Sequence, residues 1–214
     1  AGCIAAYAFD ETADDVGGSY NGTASGISYT KPGYLGGNTA GTIPSEVVAN
    51  TNAGFSIVKW TSPSATNVSN VGHGLNSSPE LIFYKGIDYA DNWYVYSQPT
   101  GLNKYLNLNT TGAVVSNNSN GFTDVNSSTF TTNLVNGSYN ILAYCFTSIP
   151  GYSRISSYVG NGNSTGPTVY TGFEPAWLMV KRTDSTSAWN IQDNKRNTTN
   201  PRTSVLQANA SDIE

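Results

Sequence analysis

Charge is what this sequence has least of. Asp, Glu, Lys and Arg make up 11% of the 214 residues, about half the usual share for a soluble globular protein. The net charge is −4 and no run of like charges occurs. The clustered Lys and Arg that track a nucleic-acid backbone are missing, which argues against that class of partner. No uninterrupted apolar run approaches the roughly 18 residues of a spanning helix, so membrane insertion by a helix is not expected. Apolar spacing at i, i+3, i+4, i+7 is absent over any long window. The N-terminus, "AGCIAAYAF", has no initiator Met and no basic start or apolar core of a signal peptide. Ala1 reads as either a processed end or the start of an excerpt from a longer chain.

Groups that carry chemistry are equally scarce. His73, in "VGHGL", is the one histidine, and a catalytic triad needs a base, an orienter and a nucleophile. A lone His in a Gly-rich loop reads as a turn residue with a local hydrogen bond, so no catalytic residue and no enzyme activity are expected. Cys3 and Cys145 sit in apolar, strand-like surroundings, "CIAAYAF" and "ILAYCFT". They read as buried reduced thiols, with a bond between them as the alternative that spacing cannot settle. With one His they cannot make a zinc site, which takes four ligands in ordered spacing. Asp10, Glu11, Asp14 and Asp15 offer oxygens to calcium but lack the regular spacing of an EF-hand loop. They read as a solvated acidic turn. Glycosidase chemistry needs two carboxylates flanking a cleft, and no glutamate-rich strand supplies them. No metal and no cofactor are expected.

What the chain does have is β-forming sequence. "GFSIVKW" (54–60) alternates Phe55, Ile57 and Lys59 against Ser56, Val58 and Trp60. "ELIFYKG" is a continuous run of β formers, and "NWYVYSQ", "KYLNLN", "GAVVS", "STFTTN" and "SYNILAYCFT" follow. Gly, Asn, Ser and Pro clusters separate them, which is turn chemistry. Short strands at this spacing predict an all-β sandwich or jelly roll.

The chain also says the same thing twice. "PELIFYKGIDYADNW" (79–93) is answered by "PAWLMVKRTDSTSAW" (175–189), with Pro, Lys, Asp and Trp each recurring 96 positions later. "GFSIVKW" is answered by "GYSRISSY" at 151, "GHGL" (72–75) by "YTGF" (170–173), and "YLNLNTT" (105–111) by "VLQANAS" (205–211). The changes of offset, from 96 to 98 and 100, fall in loops, where insertions are tolerated. Two β-sandwich units are therefore expected: a lead segment and linker over 1–50, a first repeat over 51–150 and a second over 151–214. Lys85 should match Lys181, and Trp93 should match Trp189. The first copy closes with "GFTDVNSSTFTTNLVNGSYNILAYCF"; the second reaches Glu214 without an equivalent. An open edge and an uncovered core face are costly in water. Either residues beyond 214 or another chain would complete the sheet.

The opening, "CIAAYAFDETADDVGGSYNGTASGISYT", resembles the start of a laminin-G or concanavalin-like module. From about residue 50 onward, "GFSIVKW", "VGHGL", "PELIFYK", "YNILAYCF" and above all "GFEPAWLMVKRTDS" resemble the tandem domain of marine bacteriophage virion proteins. The resemblance implies a structural role in a tail fibre, appendage or capsid decoration, within the extracellular particle. It implies copies of the chain itself as partners, a homotrimer first, with other virion proteins and a host surface glycan beside them. The many Asn-x-Ser/Thr triplets, Asn21, Asn76 and Asn163 among them, then read as composition rather than glycan acceptors. A secreted carbohydrate-binding module attached to a larger protein is the alternative reading.

Trp and Tyr on loops stack against sugar rings. Trp60, Trp93, Trp177 and Trp189 accompany many tyrosines; of these Trp93 and Trp189, kept in both copies, are expected in the core. Tyr84, Tyr89 and Tyr94 are the candidate glycan contacts. Lys85 and Lys181 mark where an apolar strand emerges into solvent.

Overall fold

A computed structural model describes residues 36–116 and 120–211. Gly36 apart, these lie in one compact unit, 37–214. Residues 1–35 of the lead segment, with Cys3, the acidic residues Asp10–Asp15 and so the laminin-G-like opening, lie outside the described residues.

Strands run in chain order as β1 (Gly36–Asn38), β2 (Ser45–Asn50), β3 (Phe55–Thr61), β4 (Ser69–Gly72), β5 (Leu81–Gly86), β6 (Tyr94–Ser97), β7 (Lys104–Asn107) and β8 (Val115–Ser116). β9 (Phe122–Val125), β10 (Thr129–Thr132), β11 (Asn140–Phe146), β12 (Trp177–Lys181), β13 (Trp189–Asp193) and β14 (Leu206–Gln207) follow. No α-helix occurs among the described residues. The fold is all-β, as the strand pattern predicts.

An eight-stranded sheet runs β1-β2-β3-β11-β5-β6-β7-β8, and a three-stranded sheet runs β4-β10-β9. Their facing sides form the main core. Val58 and Trp60 come from β3, Ile82 and Tyr84 from β5, and Ile141, Ala143 and Cys145 from β11; Val71, Phe122 and Phe130 meet them from the smaller sheet. β11, and β3 from Phe55 to Trp60, alternate between half-buried and buried positions, the period-2 pattern of a strand with two different faces. Burying each large side chain contributes roughly 1.5–3 kcal/mol, and the Trp60 ring packs edge-on to Phe130 at 5.6 Å.

β2 pairs with β3 along Glu46–Asn50. The boundary expected at residue 50 therefore falls inside the large sheet, because Val47 and its neighbours extend the sandwich rather than link to it.

The repeat is real, and its register holds. β12-β13-β14 form a separate three-stranded sheet. Leu81 pairs with Ser97 and Tyr84 with Tyr94 in the first copy; Trp177 pairs with Asp193 and Val180 with Asn190 in the second, each residue 96 positions on. Tyr94 faces Asn107 and Asn190 faces Gln207, so the third strand carries the offset of 100. Loop hydrogen bonds recur as well. The Trp93 amide donates to Asn109 Oδ1 at 3.0 Å and the Trp189 amide to Asn209 Oδ1 at 2.8 Å.

Among the described residues the second copy forms a three-stranded meander rather than a second sandwich. Its strands match β5, β6 and β7 only, and the described residues hold no counterpart of β8–β11 for it. It packs instead on the outer side of the first copy. Trp189, Val95 and Leu106 form a second core cluster there, flanked by Leu81, Phe83 and Met179. The Val114 amide donates to Thr183 O at 2.8 Å and the Ser187 amide to Thr111 O at 2.9 Å.

Candidate recognition surface

The three tyrosines singled out in the sequence meet around one carboxylate, although they do not form a surface. Tyr84 alternates inward on β5 and is buried. It is therefore no surface contact: the run "ELIFYKG" has apolar residues on both faces, and Tyr84 falls on the core side. Tyr89 and Tyr94 are half-buried. Tyr89 Oη donates to Asp91 Oδ2 at 2.9 Å and Tyr94 Oη to Asp91 Oδ1 at 3.0 Å. Lys85 Nζ donates to the Asp91 carbonyl oxygen, so this lysine closes the loop rather than reaching solvent. Burial and the Asp91 carboxylate push both phenols well above their usual range, and burial does the same to Tyr84. Neutral phenols locked on one acid brace the β5–β6 loop. Tyr89 also packs on Tyr139 with ring centroids 4.2 Å apart.

His73 is likewise a structural group. It is buried; its Nδ1 accepts from the Leu75 amide at 3.2 Å, which leaves Nε2–H to donate to Asn126 O at 3.0 Å. Burial lowers its pKa. Thr171, the counterpart, holds its own turn through an Oγ1 bond to Phe173 O at 2.6 Å. Cys145 is a free, buried thiol pushed up to about 12 by burial.

An aromatic strip lies on the outer side of the large sheet. The sequence reading placed Trp93 in the core; the structure leaves it half-buried, because its loop emerges on the face away from the smaller sheet. Its ring runs near-parallel to Tyr144, 6.4 Å between centroids at 11°. Phe55 lies on the other side of Tyr144, also at 6.4 Å, at 10°. Phe146, the register partner of Phe55, extends the strip at 4.9 Å. All four are half-buried and alternate outward from the core residues of β3 and β11. The signal was present in the sequence: "ILAYCF" is apolar at successive positions, as a strand with two apolar faces is.

Aromatic rings of this kind can stack on a ring with an apolar C–H face, as a pyranose has. Asp88, whose carboxylate receives the Asn140 amide at 3.0 and 3.1 Å, lies at the far end of β11. Among the described residues no group of His, Cys, Asp and Glu is placed to hold a metal ion.

Neither a curated protein nor a solved structure matches the chain. The model of one family, described as a domain of unknown function (DUF7483), matches residues 9–214, and the chain belongs to that family.

Proposed function

We propose that this chain is a structural and adhesive β module of a bacteriophage appendage, assembled with copies of itself, a homotrimer first, and with other virion proteins. The observation that carries the reading is the stacking of two copies of one meander, with Trp189 wedged against Val95 and Leu106. Units that pack in series set length and present surfaces at fixed intervals. The resemblance of "GFEPAWLMVKRTDS" to virion proteins supports the same reading. Host-surface glycan contact is assigned to Trp93, Tyr144 and Phe55 rather than to the tyrosines around Asp91. Mass spectrometry of purified virions tests the first half: peptides of this chain in stoichiometric amount support it, and their absence overturns it.

The aromatic strip also favours a second reading, a secreted carbohydrate-binding module joined to a larger protein. A glycan array together with the virion spectrum separates the two. Sugar binding with no trace of the chain in particles favours the secreted module.

A further inference from the structure

We propose that β12 and the stretch 151–170 form an acceptor for antiparallel strands of the β9–β11 kind, donated by another repeat of this same kind. The inference does not rest on the functional reading above.

The local backbone of the two copies agrees beyond the meander. Gly54 and Gly151, at matching positions, have φ of 63° and 75°; Gly74 and Gly172 have 71° and 85°. These left-handed turns need glycine. Their surroundings differ completely. A Cβ on Gly54 would lie 2.6 Å from the Thr147 carbonyl oxygen, and one on Gly74 would lie 3.0 Å from Val47; at Gly151 and Gly172 nothing lies within 4 Å. The second copy keeps the shape of the turns without the strands that pack on them in the first.

The side chains tell the same story. Val71 is 0% exposed and its counterpart Val169 is 42%; Ile82 is 0% and its counterpart Leu178 is 43%. Tyr152, at the position of Phe55, is 66% exposed. Residues 161–170 are exposed throughout and contain no strand. In the first copy β11 pairs with β3, β10 pairs with β4, and the side chains of β9 and β10 cover Ile82 and Tyr84. Leu178 and Val180 stand on the same face of β12 without that cover. Exposed apolar side chains beside unpaired backbone donors and acceptors are the condition that strand addition relieves.

The occupant's chemistry is specified by the first copy. It is an antiparallel set with inward apolar residues at the positions of Phe122, Phe130, Ile141 and Ala143. Asn190 and Gln192 replace Tyr94 and Tyr96 on the accepting face, so this half of the contact is more polar, and Gln192 Nε2 already donates to Arg202 O at 2.7 Å.

The test keeps the whole chain and appends residues 115–150 a second time after residue 214. Hydrogen exchange is followed segment by segment. The expected result is slowing on the order of 100-fold at 154–170 and β12, lost when the added copies of Phe122 and Phe130 become Asp. Unchanged exchange there, with β3 and β11 still protected, overturns the proposal. Should the extended chain fail to fold, free 115–150 polypeptide is added to the unextended chain. Slowing at the same amides supports the proposal, and none at about millimolar peptide overturns it. A dimer of the unextended chain that Leu178→Asp dissolves, and that the peptide cannot displace, overturns it in favour of face-to-face self-docking.

Discussion

The Trp189 indole donates through Nε1 to the carbonyl oxygen of Asn107 at 2.9 Å. Asn107 lies on the third strand of the first meander, and Trp189 opens the second strand of the other. One copy thus uses its tryptophan to hold the other, while the matching Trp93 is free to stack on Tyr144. Equivalent register, with different surroundings, gives one residue type two roles.

Trp189→Ala should therefore act locally. Truncating a buried Trp costs about 3–5 kcal/mol, and here the loss falls on the second meander. Hydrogen exchange should show β12–β14 opening while β3, β5 and β11 stay protected. Trp93→Ala, at a half-buried position, should cost well under half as much and leave both sheets formed.

Phe130→Ala should behave differently. Phe130 is buried in the main core and packs on Trp60 and Phe122. A loss of about 3–5 kcal/mol is expected to appear in the global unfolding transition, measured by urea titration. A local effect confined to β9 and β10 would contradict the single core drawn across both sheets.

The alternation in "GFSIVKW" and the offsets of the repeat were legible in sequence, and they predict β3, the two meanders and their register. The role of each face was not. Tyr84 and Tyr94 sit on strands apolar on both sides, so composition could not say which ring points to the core. The packing of the second copy was also hidden. Nothing in "WLMVK" says that Met179 meets the first copy and Leu178 meets solvent, because that depends on the absence of β9–β11-type cover.

Acid should destabilise the fold through His73. Its folded pKa lies below the unfolded value of 6.5, so the unfolded chain takes up the proton first. This contribution is fully present above pH 6.5 and is lost as pH falls below it. His73→Asn should flatten that part of the stability profile measured by urea midpoints from pH 7.5 to 5; an unchanged slope would refute the assignment.

The Cys145 thiol should be inert in the folded protein. Its pKa near 12 leaves almost no thiolate at neutral pH, and the side chain is buried. In a Cys3→Ser chain, labelling by a soluble disulfide reagent should wait for unfolding, and labelling at the rate of an exposed thiol would show that β11 is not central.

If the aromatic strip takes sugar, Tyr144→Ala and Trp93→Ala should each lower glycan-array binding at least about tenfold, the loss of one stacking contact. Tyr89→Phe should leave binding unchanged and only weaken the Asp91 brace by about 1 kcal/mol.

Among the described residues, one sandwich carries a second copy of its own outer meander without strands of the β9–β11 kind over it. Residue-resolved amide exchange tests it most directly. The Leu108 and Ala208 amides, which donate to Trp93 O and Trp189 O, should both be protected, β3 and β11 should be slowest, and 156–162 should exchange freely. Protection of 156–162 at the level of β3 and β4, or exchange at Ala208 as fast as in 156–162, would contradict it.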